Sequence, residues 1–314
     1  MRRKIGQIEG KQGDVLLIAI GQMHGNEPTG IQALEKLFSH FETFPPHQIS
    51  SLFEGKIVGL RGNRQAAAKG ERYLKSDLNR LWKAKNVQRI LQSPPSNLEA
   101  EEKELYELEA QISEEIRLYE PKTVFILDFH TTTADGGEFS IPIDTPLSEQ
   151  IGNRLHAPVI HGLAENLPGT LIEYAGSRPW KVDTHALAYE AGQHQSVQAE
   201  GKAFIALLQA IISLGMSSLS NMKDILPSHE IHDSPPPLIG KIVHIHKILP
   251  GDEFEMLPGF KNFVPVKQGQ LLARDRHGEI LSPFDSHMLM PLYQKQGDDG
   301  FFLIKKEPLE KFGF

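Results

Sequence analysis

Short, largely apolar runs recur along the first two thirds of this 314-residue chain. A strand that is apolar at nearly every position is buried on both faces, as in the centre of a parallel sheet covered by helices. Segments with helical periodicity lie among these runs, and Ser96 or Asn97 is the predicted N-cap of the longest one. The predicted strands are 15–20, 56–60, 123–129 and 184–191, and the predicted helices are 31–41, 97–120 and 199–215. This pattern predicts an α/β fold with helices on both faces of one sheet.

The composition of the chain changes after about residue 216. Residues 217–237 are polar and rich in proline, which is typical of a linker. Short strand-like segments separated by glycine and proline follow, a pattern typical of a small all-β domain. We therefore predict a first domain over 1–216, a linker over 217–237 and a C-terminal β domain over 238–314.

Charge and composition exclude several classes of function. The chain has 33 basic and 40 acidic residues and a net charge of −7, whereas nucleic-acid-binding proteins usually carry a basic surplus. It has no cysteine, which excludes disulfides, thiolate zinc fingers and iron–sulfur clusters. No apolar core follows its basic start, and its apolar runs are too short to span a bilayer. We therefore expect a cytoplasmic protein without nucleic-acid or membrane partners, as a monomer or a homo-oligomer.

Three residues at the ends of predicted strands have the chemistry of a metal site. His24 and Glu27 follow the first strand, and two ligands three residues apart can contact one ion. His130 ends the third strand, and Asp128 points to the same face of that strand, where its carboxylate can orient the imidazole. Taken singly, each match also fits a capping glutamate or a core histidine. Together they predict a catalytic zinc site with two histidines, one carboxylate and an open fourth position.

Other polar residues follow strands or lie between them. Glu190 ends the fourth predicted strand, where a carboxylate can act as general base and acid or simply face solvent. Arg72 and Arg80 carry guanidinium groups, which suit carboxylate recognition, and Asn79 adds an amide. The stretch around Asn79 also fits a helix cap. Asn63 follows the second strand, as either a turn residue or a polar contact to a substrate.

The order of these motifs resembles one known family. The motifs are Gly-x-x-His-Gly-Asn-Glu at 21–27, Gly-Asn at 62–63, Glu-Arg-Tyr-Leu-Lys-Ser-Asp-Leu-Asn-Arg at 71–80, Asp-Phe-His-Thr-Thr-Thr at 128–133 and the strand that ends in Glu190. Over about residues 15–215 the chain resembles the aspartoacylase and succinylglutamate desuccinylase family of zinc hydrolases. The resemblance implies an α/β fold similar to the zinc carboxypeptidases, with a mixed sheet between helices and a small C-terminal all-β domain.

The resemblance also implies roles for individual residues. His24, Glu27 and His130 would bind one zinc ion per chain, and Glu190 would be the catalytic acid and base. The implied substrate-binding residues are Arg72, Asn79, Arg80 and, to grip a substrate carboxylate, Arg178. The expected reaction is zinc-dependent hydrolysis of an N-acyl amino acid.

The resemblance leaves the substrate open. The Thr-Thr after His130 and the Gly-Gln after Glu190 look more like aspartoacylase, so N-acetylaspartate or a related N-acyl amino acid is expected. Aspartoacylase uses a C-terminal tyrosine to contact its substrate, whereas this chain has Phe301 and Phe302 there and Tyr293 earlier. The alternatives are a succinylglutamate desuccinylase, a zinc carboxypeptidase and a non-catalytic metal-binding module.

Overall fold

A computed structural model of the chain describes residues 1–225 and 236–312. Its strands are β1 (Lys4–Glu9), β2 (Lys11–Gly21), β3 (Glu54–Arg61), β4 (Thr123–Thr132), β5 (Phe139–Pro142), β6 (Val159–His161), β7 (Asp183–Gln193), β8 (Ile239–Lys247), β9 (Glu255–Met256), β10 (Pro265–Val266), β11 (Leu271–Asp275), β12 (Gly278–Leu281), β13 (Ser286–Leu289) and β14 (Asp299–Glu307). Eleven of them form one sheet in the order β1-β3-β2-β4-β7-β5-β6-β8-β14-β13-β10, and β12-β11-β9 form a second sheet.

The helices mostly connect strands of the large sheet. They are α1 (Thr29–Phe41), α2 (Pro46–Leu52), α3 (Arg64–Ala67), α4 (Ala84–Gln92), α5 (Ala100–Tyr119), α6 (Pro146–Arg154), α7 (Leu171–Gly176), α8 (Ala199–Ser213) and α9 (Leu219–Ile225). Short 3-10 turns lie at Leu78–Arg80, Pro95–Asn97 and Leu309–Phe312. No helix in the described part of the chain is both long and apolar enough to cross a membrane.

The four predicted strands form the parallel centre of the large sheet. β2 pairs in parallel with β3 and β4, and β4 pairs in parallel with β7. Consecutive residues of β2 face opposite sides, so that Ile18 packs in a core with Leu105 of α5, while Leu17 packs in a second core with Leu34 of α1 and Leu207 of α8. Both faces of the sheet are therefore covered by helices, which confirms the α/β prediction.

The start of α5 differs from the prediction. The helix begins at Ala100, and Glu99 rather than Ser96 or Asn97 is its N-cap. The backbone N–H of Glu99 donates to the Glu102 carboxylate (3.0 Å), and the Glu99 side chain accepts from the third helical residue in return. This reciprocal pair satisfies two backbone donors, whereas Pro95–Asn97 form a separate 3-10 turn.

The chain after residue 238 is built of strands, as predicted, but these strands extend the main sheet. β8 pairs in parallel with β6 and antiparallel with β14, so four C-terminal strands continue the sheet of the α/β part. The predicted linker over 217–237 contains α9, and its residues 226–235 lie outside the described residues. The division into domains stays a prediction.

Candidate metal centre and catalytic site

The candidate site lies at the carboxyl ends of the three central strands β2, β4 and β7. His24 and Glu27 follow β2, while His130 lies in β4 directly opposite Glu190 of β7. Crevices outside the carboxyl ends of parallel strands are the usual ligand sites of α/β sheets. Strand pairing thus brings together residues that are far apart in the sequence.

A tight turn positions His24 and Glu27. The backbone N–H of Glu27 donates to the carbonyl of His24 (3.1 Å), which closes the turn before α1. A Cβ atom at Gly25 would lie 2.3 Å from the backbone of Ala66 and Ala67, so only glycine allows this approach. The Gly25 in the His-Gly-Asn-Glu motif is therefore explained by packing of the turn against the segment after β3.

His24, Glu27 and His130 form one buried cluster. The Nδ1 atom of His24 lies 2.9 Å from Oε1 of Glu27, and Nδ1 of His130 lies 3.2 Å from Oε2 of the same carboxylate. One ligand atom from each residue lies within 4.8 Å of the others. Two imidazoles and one carboxylate are a donor set that suits zinc and leaves a fourth position for a reacting molecule.

Two further carboxylates orient the imidazoles. Nε2 of His24 lies 3.1 Å from Asp77, and Nε2 of His130 lies 3.0 Å from Asp128. A carboxylate only accepts hydrogen bonds, so a proton on each Nε2 satisfies Asp77 and Asp128 and leaves the two Nδ1 atoms, which face Glu27, as those that would bind an ion. The structure places Asp128 where the sequence prediction put it, whereas the role of Asp77 was missed. Its position next to Asn79 and Arg80, two predicted site residues, was the available signal.

Glu27 has the ionisation state that a metal ligand needs. Burial by itself raises the pKa of Glu27, but the adjacent His24 and His130 outweigh this and hold the pKa well below its usual value. The backbone N–H of Thr131 (3.0 Å) and Nη1 of Arg72 (3.2 Å) also donate to the carboxylate. The residues present therefore fit a divalent cation.

Glu190 is a buried carboxylate beside this cluster. It is 5% exposed, and its Oε2 atom has no hydrogen-bond partner among the described residues. Burial raises the pKa of Glu190 to about 7, although His130 acts in the opposite direction. A carboxyl group that titrates near neutral pH can both accept and donate a proton.

The structure brings Arg72, Asn79 and Arg80 to the same site. Arg72 bridges Glu27 (3.2 Å) and Asp77 (3.1 Å).

Nη2 of Arg80 donates to Asp299 of β14 (2.7 Å), and its Nη1 donates to the carbonyl of Asn79 (2.9 Å). The Asn79 side-chain oxygen accepts from the backbone N–H of Leu171 (2.9 Å), leaving its amide nitrogen 3.4 Å from Nε2 of His130.

Two predicted substrate contacts lie elsewhere, and the structure corrects them. Asn63 is fully buried: its oxygen accepts from Ala66 N–H at the start of α3 (3.0 Å), and its nitrogen donates to Glu101 (3.2 Å). Arg178 has a left-handed backbone (φ +54°) after α7, pairs with Asp183 (2.9 Å) and is 56% exposed. Asn63 therefore supports a turn, and Arg178 belongs to an exposed ion pair.

The three C-terminal aromatic residues have different surroundings. Phe302 lines a space next to the site. The Tyr293 hydroxyl donates to the carbonyl of Leu257 (2.9 Å) and lies 3.2 Å from the carbonyl oxygen of Phe260, and Phe301 stacks on His246 with ring centroids 5.0 Å apart. Of the three, only Phe302 is placed at the site in the described structure.

Two adjoining chambers open onto the candidate site. The first, here named the apolar chamber, encloses about 490 Å³ including its mouth and is lined by Glu190, His24, His130 and six aliphatic residues. The second, named the threonine chamber, encloses about 520 Å³ including its mouth and is lined by residues that include Thr131, Thr132, Thr133, His194, Asp298 and Asp299. Arg72, Arg80, Leu167 and Met290 line both chambers and mark their boundary.

The fold and the site together define a class: α/β proteins with a candidate metal centre and a buried carboxylate at the ends of parallel strands. The model of the succinylglutamate desuccinylase/aspartoacylase catalytic domain matches residues 12–208, more than half of the chain. The chain belongs to the succinylglutamate desuccinylase/aspartoacylase family.

Individual relatives agree with this assignment. A probable aspartoacylase from Prochlorococcus marinus (strain NATL2A) is 32% identical over 173 residues, 52% of this chain and 50% of that protein. A probable aspartoacylase from Trichodesmium erythraeum (strain IMS101) is 33% identical over 121 residues, 38% of this chain and 36% of that protein. The matched part thus spans about half the length, or less, of these curated relatives.

Solved structures show the same fold at low identity. The product-bound ectoine utilization protein EutE (DoeB) from Ruegeria pomeroyi is 17% identical, with a TM-score of 0.66 over 96% of this chain and 87% of that chain. Succinylglutamate desuccinylase from Vibrio cholerae is 16% identical, with a TM-score of 0.60 over 95% and 82%. Both alignments include the C-terminal strands, so the fold prediction is confirmed over nearly the whole chain.

Proposed function

We propose that this protein is a zinc-dependent amidohydrolase that removes the acyl group from an N-acyl amino acid. The observation that carries the proposal is Glu190, a buried carboxylate with a free oxygen, directly opposite His130 on the neighbouring strand. Membership of the family supports a hydrolytic reaction on this class of substrate.

His24, Glu27 and His130 would hold the zinc ion, and Asp77 and Asp128 keep both imidazoles in the ligating tautomer. Zinc bound there supplies a Lewis acid that lowers the pKa of water and polarises the substrate carbonyl. The protein's contribution is to fix these donors in place before the substrate arrives.

Glu190 moves the protons of the reaction. Its carboxylate takes a proton from the water that attacks the amide carbonyl carbon, and a C–O bond forms. It then donates this proton to the amide nitrogen, the C–N bond breaks, and a carboxylic acid and a free amine leave. Arg72 lines the site, and its guanidinium stabilises the negative charge that develops on the carbonyl oxygen.

The C-terminal strands favour a small substrate. Met290, Asp299 and Phe302 line the chambers, so the part of the chain that follows the α/β core covers the site. This cover weighs against a carboxypeptidase, whose peptide substrate needs an open groove. A non-catalytic metal-binding module has no need of a buried acid–base carboxylate, and Glu190 weighs against that alternative.

The decisive experiment measures free-amine release by the zinc-loaded protein from N-acetylaspartate, N-succinylglutamate, other N-acetyl amino acids and a short peptide. We expect turnover of at least one acyl amino acid. We also expect Glu190→Gln to retain zinc and lose about 10²- to 10⁴-fold in kcat. Glu114→Gln, the same change at an exposed position on α5, is the matched control.

Each other outcome identifies one alternative. Turnover of N-succinylglutamate alone assigns a succinylglutamate desuccinylase, and turnover of the peptide alone assigns a carboxypeptidase. Bound zinc without turnover of any substrate contradicts the proposal and supports the non-catalytic module. Full activity of Glu190→Gln contradicts the role of Glu190.

A further inference from the structure

The apolar chamber has walls that the reaction itself does not use. Its aliphatic residues are all buried: Ile141, Leu163, Ala164, Leu167, Ile172 and Ala188. An apolar group gains free energy by leaving water for such walls, whereas a charged group loses its hydration there without replacement. The chamber therefore favours a hydrocarbon occupant.

The two arginines that the described structure places at the chamber are already paired with the protein's own carboxylates. Among the described residues that line it, the guanidinium groups belong to Arg72 and Arg80. Arg72 is already held between Glu27 and Asp77, and Arg80 is paired with Asp299. Arg80 has more N–H donors than its two described contacts use, so it can receive one further carboxylate. A second carboxylate would have to compete with the protein's own acidic groups.

Arg178 does not supply a further cation to the apolar chamber. The resemblance implies that this residue holds a substrate carboxylate, but its guanidinium pairs with Asp183 and is not part of the chamber wall. Ile172 and Leu163 belong to that wall.

The position of Glu190 determines which half of the substrate enters the apolar chamber. Glu190 and Ala188 are two residues apart on β7 and face the same side, and Ile141 pairs with Ala188 across the strands. Glu190 lines the apolar chamber but is absent from the wall of the threonine chamber. Because Glu190 donates its proton to the leaving amine, the amino acid half lies on its side of the scissile bond.

We propose that the substrate is an N-acyl amino acid with an apolar side chain, such as leucine or methionine, which fills the apolar chamber. Its α-carboxylate contacts Arg80 at the boundary of the two chambers, and its acyl group faces the threonine chamber. This inference rests on the proposed amidohydrolase function and narrows its substrate class.

The test compares four substrates on the zinc-loaded wild-type protein: N-acetyl-L-leucine, N-acetyl-L-alanine, N-acetyl-L-aspartate and N-hexanoyl-L-aspartate. One methylene group in an apolar pocket changes kcat/KM by roughly 10- to 200-fold. We expect kcat/KM for N-acetyl-L-leucine to exceed that for N-acetyl-L-aspartate by about 100-fold or more, and that for N-acetyl-L-alanine by at least about tenfold.

The outcomes separate this inference from the function on which it rests. Preference for N-acetyl-L-aspartate overturns the inference but leaves the amidohydrolase function intact. Preference for N-hexanoyl-L-aspartate also overturns it, because the apolar chamber would then receive the acyl chain. Absence of turnover with these four substrates and with the panel above overturns both.

A pair of alanine substitutions tests the chamber directly. Ala164→Phe fills the chamber, and we expect the ratio of kcat/KM for N-acetyl-L-leucine to that for N-acetyl-L-alanine to fall at least tenfold. Ala110→Phe makes the same change on the exposed side of α5 and should leave this ratio unchanged. Ala188→Val is a smaller change with the same expected direction, for use if Ala164→Phe does not fold. An unchanged ratio in a folded, zinc-loaded chamber variant overturns the inference.

Discussion

The metal centre and the apolar chamber lie side by side and share Glu190, but they are built in different ways. Every titratable side chain of the metal cluster is held by another polar group, and each imidazole has its own carboxylate. The chamber shares His24, His130 and Glu190 with the metal centre, and its aliphatic wall comes from β5, β7, α7 and the residues before α7. We therefore expect catalysis to depend on the residues at the ends of the strands. We expect the choice of substrate to depend on the aliphatic residues of the chamber wall. Changes in one region should affect the other little.

The largest expected effect comes from removing a ligand. We predict that His24→Ala lowers zinc content to a trace and kcat/KM by at least about 10³-fold, because the Lewis acid is lost. The matched control is His185→Ala, since His185 is also buried and paired with a carboxylate, Asp183 (3.0 Å), outside the site. Metal analysis and amine release measure the two effects. Stoichiometric zinc in His24→Ala would contradict the ligand assignment.

Zinc itself should stabilise the fold. A ligand at 1,000 times its dissociation constant raises the free energy of unfolding by about 4.1 kcal/mol. We expect this increment in the wild-type protein and in Ala164→Phe, and its loss in His24→Ala. Urea denaturation with and without zinc measures it. If Ala164→Phe lost the increment, the two regions would not be independent.

The carboxylates behind the imidazoles should have a smaller effect. Substituting such a partner usually lowers metal affinity by 10- to 100-fold, so we predict a loss of about that size for Asp77→Asn. Asp183→Asn is the control, because Asp183 pairs with His185 in the same manner without contacting the site. Competition with a chromophoric chelator gives the affinities. Equal affinity in Asp77→Asn and wild type would show that Asp77 serves only to accept the backbone N–H of Asn79 (2.8 Å) at the start of the 3-10 turn.

A difference of about 2 kcal/mol in unfolding free energy should distinguish a residue of the chamber wall from a residue of the closed core. We predict that Leu105→Ala, in the core beneath α5, lowers the free energy of unfolding by about 4 kcal/mol, because a closed cavity remains. Leu163→Ala should cost only about 2 kcal/mol, since the space it leaves joins the chamber. Urea denaturation of the zinc-loaded proteins measures both. An equal loss in the two variants would mean that Leu163 acts as ordinary core.

The same division explains how far the sequence could predict the structure. The apolar runs around Leu17 and Ile126 are local signals, and they correctly indicate the central strands. The cluster of His24, Glu27 and His130 could also be predicted from the sequence, because each residue follows or ends a strand whose position the sequence indicates clearly. The carboxyl ends of neighbouring parallel strands lie side by side at one edge of the sheet.

Contacts that depend on tertiary packing could not be predicted from the sequence. Asp77 meets His24 only because a 3-10 turn packs under the loop after β2. The amide of Asn63 could equally bind a substrate. Only the fold shows that this amide is hydrogen-bonded to the start of α3 and to Glu101. Chamber residues such as Ile172 and Leu163 carry no motif, because a pocket wall and a closed core use the same side chains.

The ion pair between Arg80 and Asp299 has a consequence for the order in which the protein is made. The two residues are 219 positions apart, and Asp299 belongs to β14, which is synthesised after the other described strands. Until then β8, which already pairs with β6, has an unpaired edge, and Arg80 lacks its partner. The catalytic strands can therefore form early in synthesis, whereas the substrate pocket is completed only after translation of β14. A chain released before that point would have the metal ligands without a finished pocket.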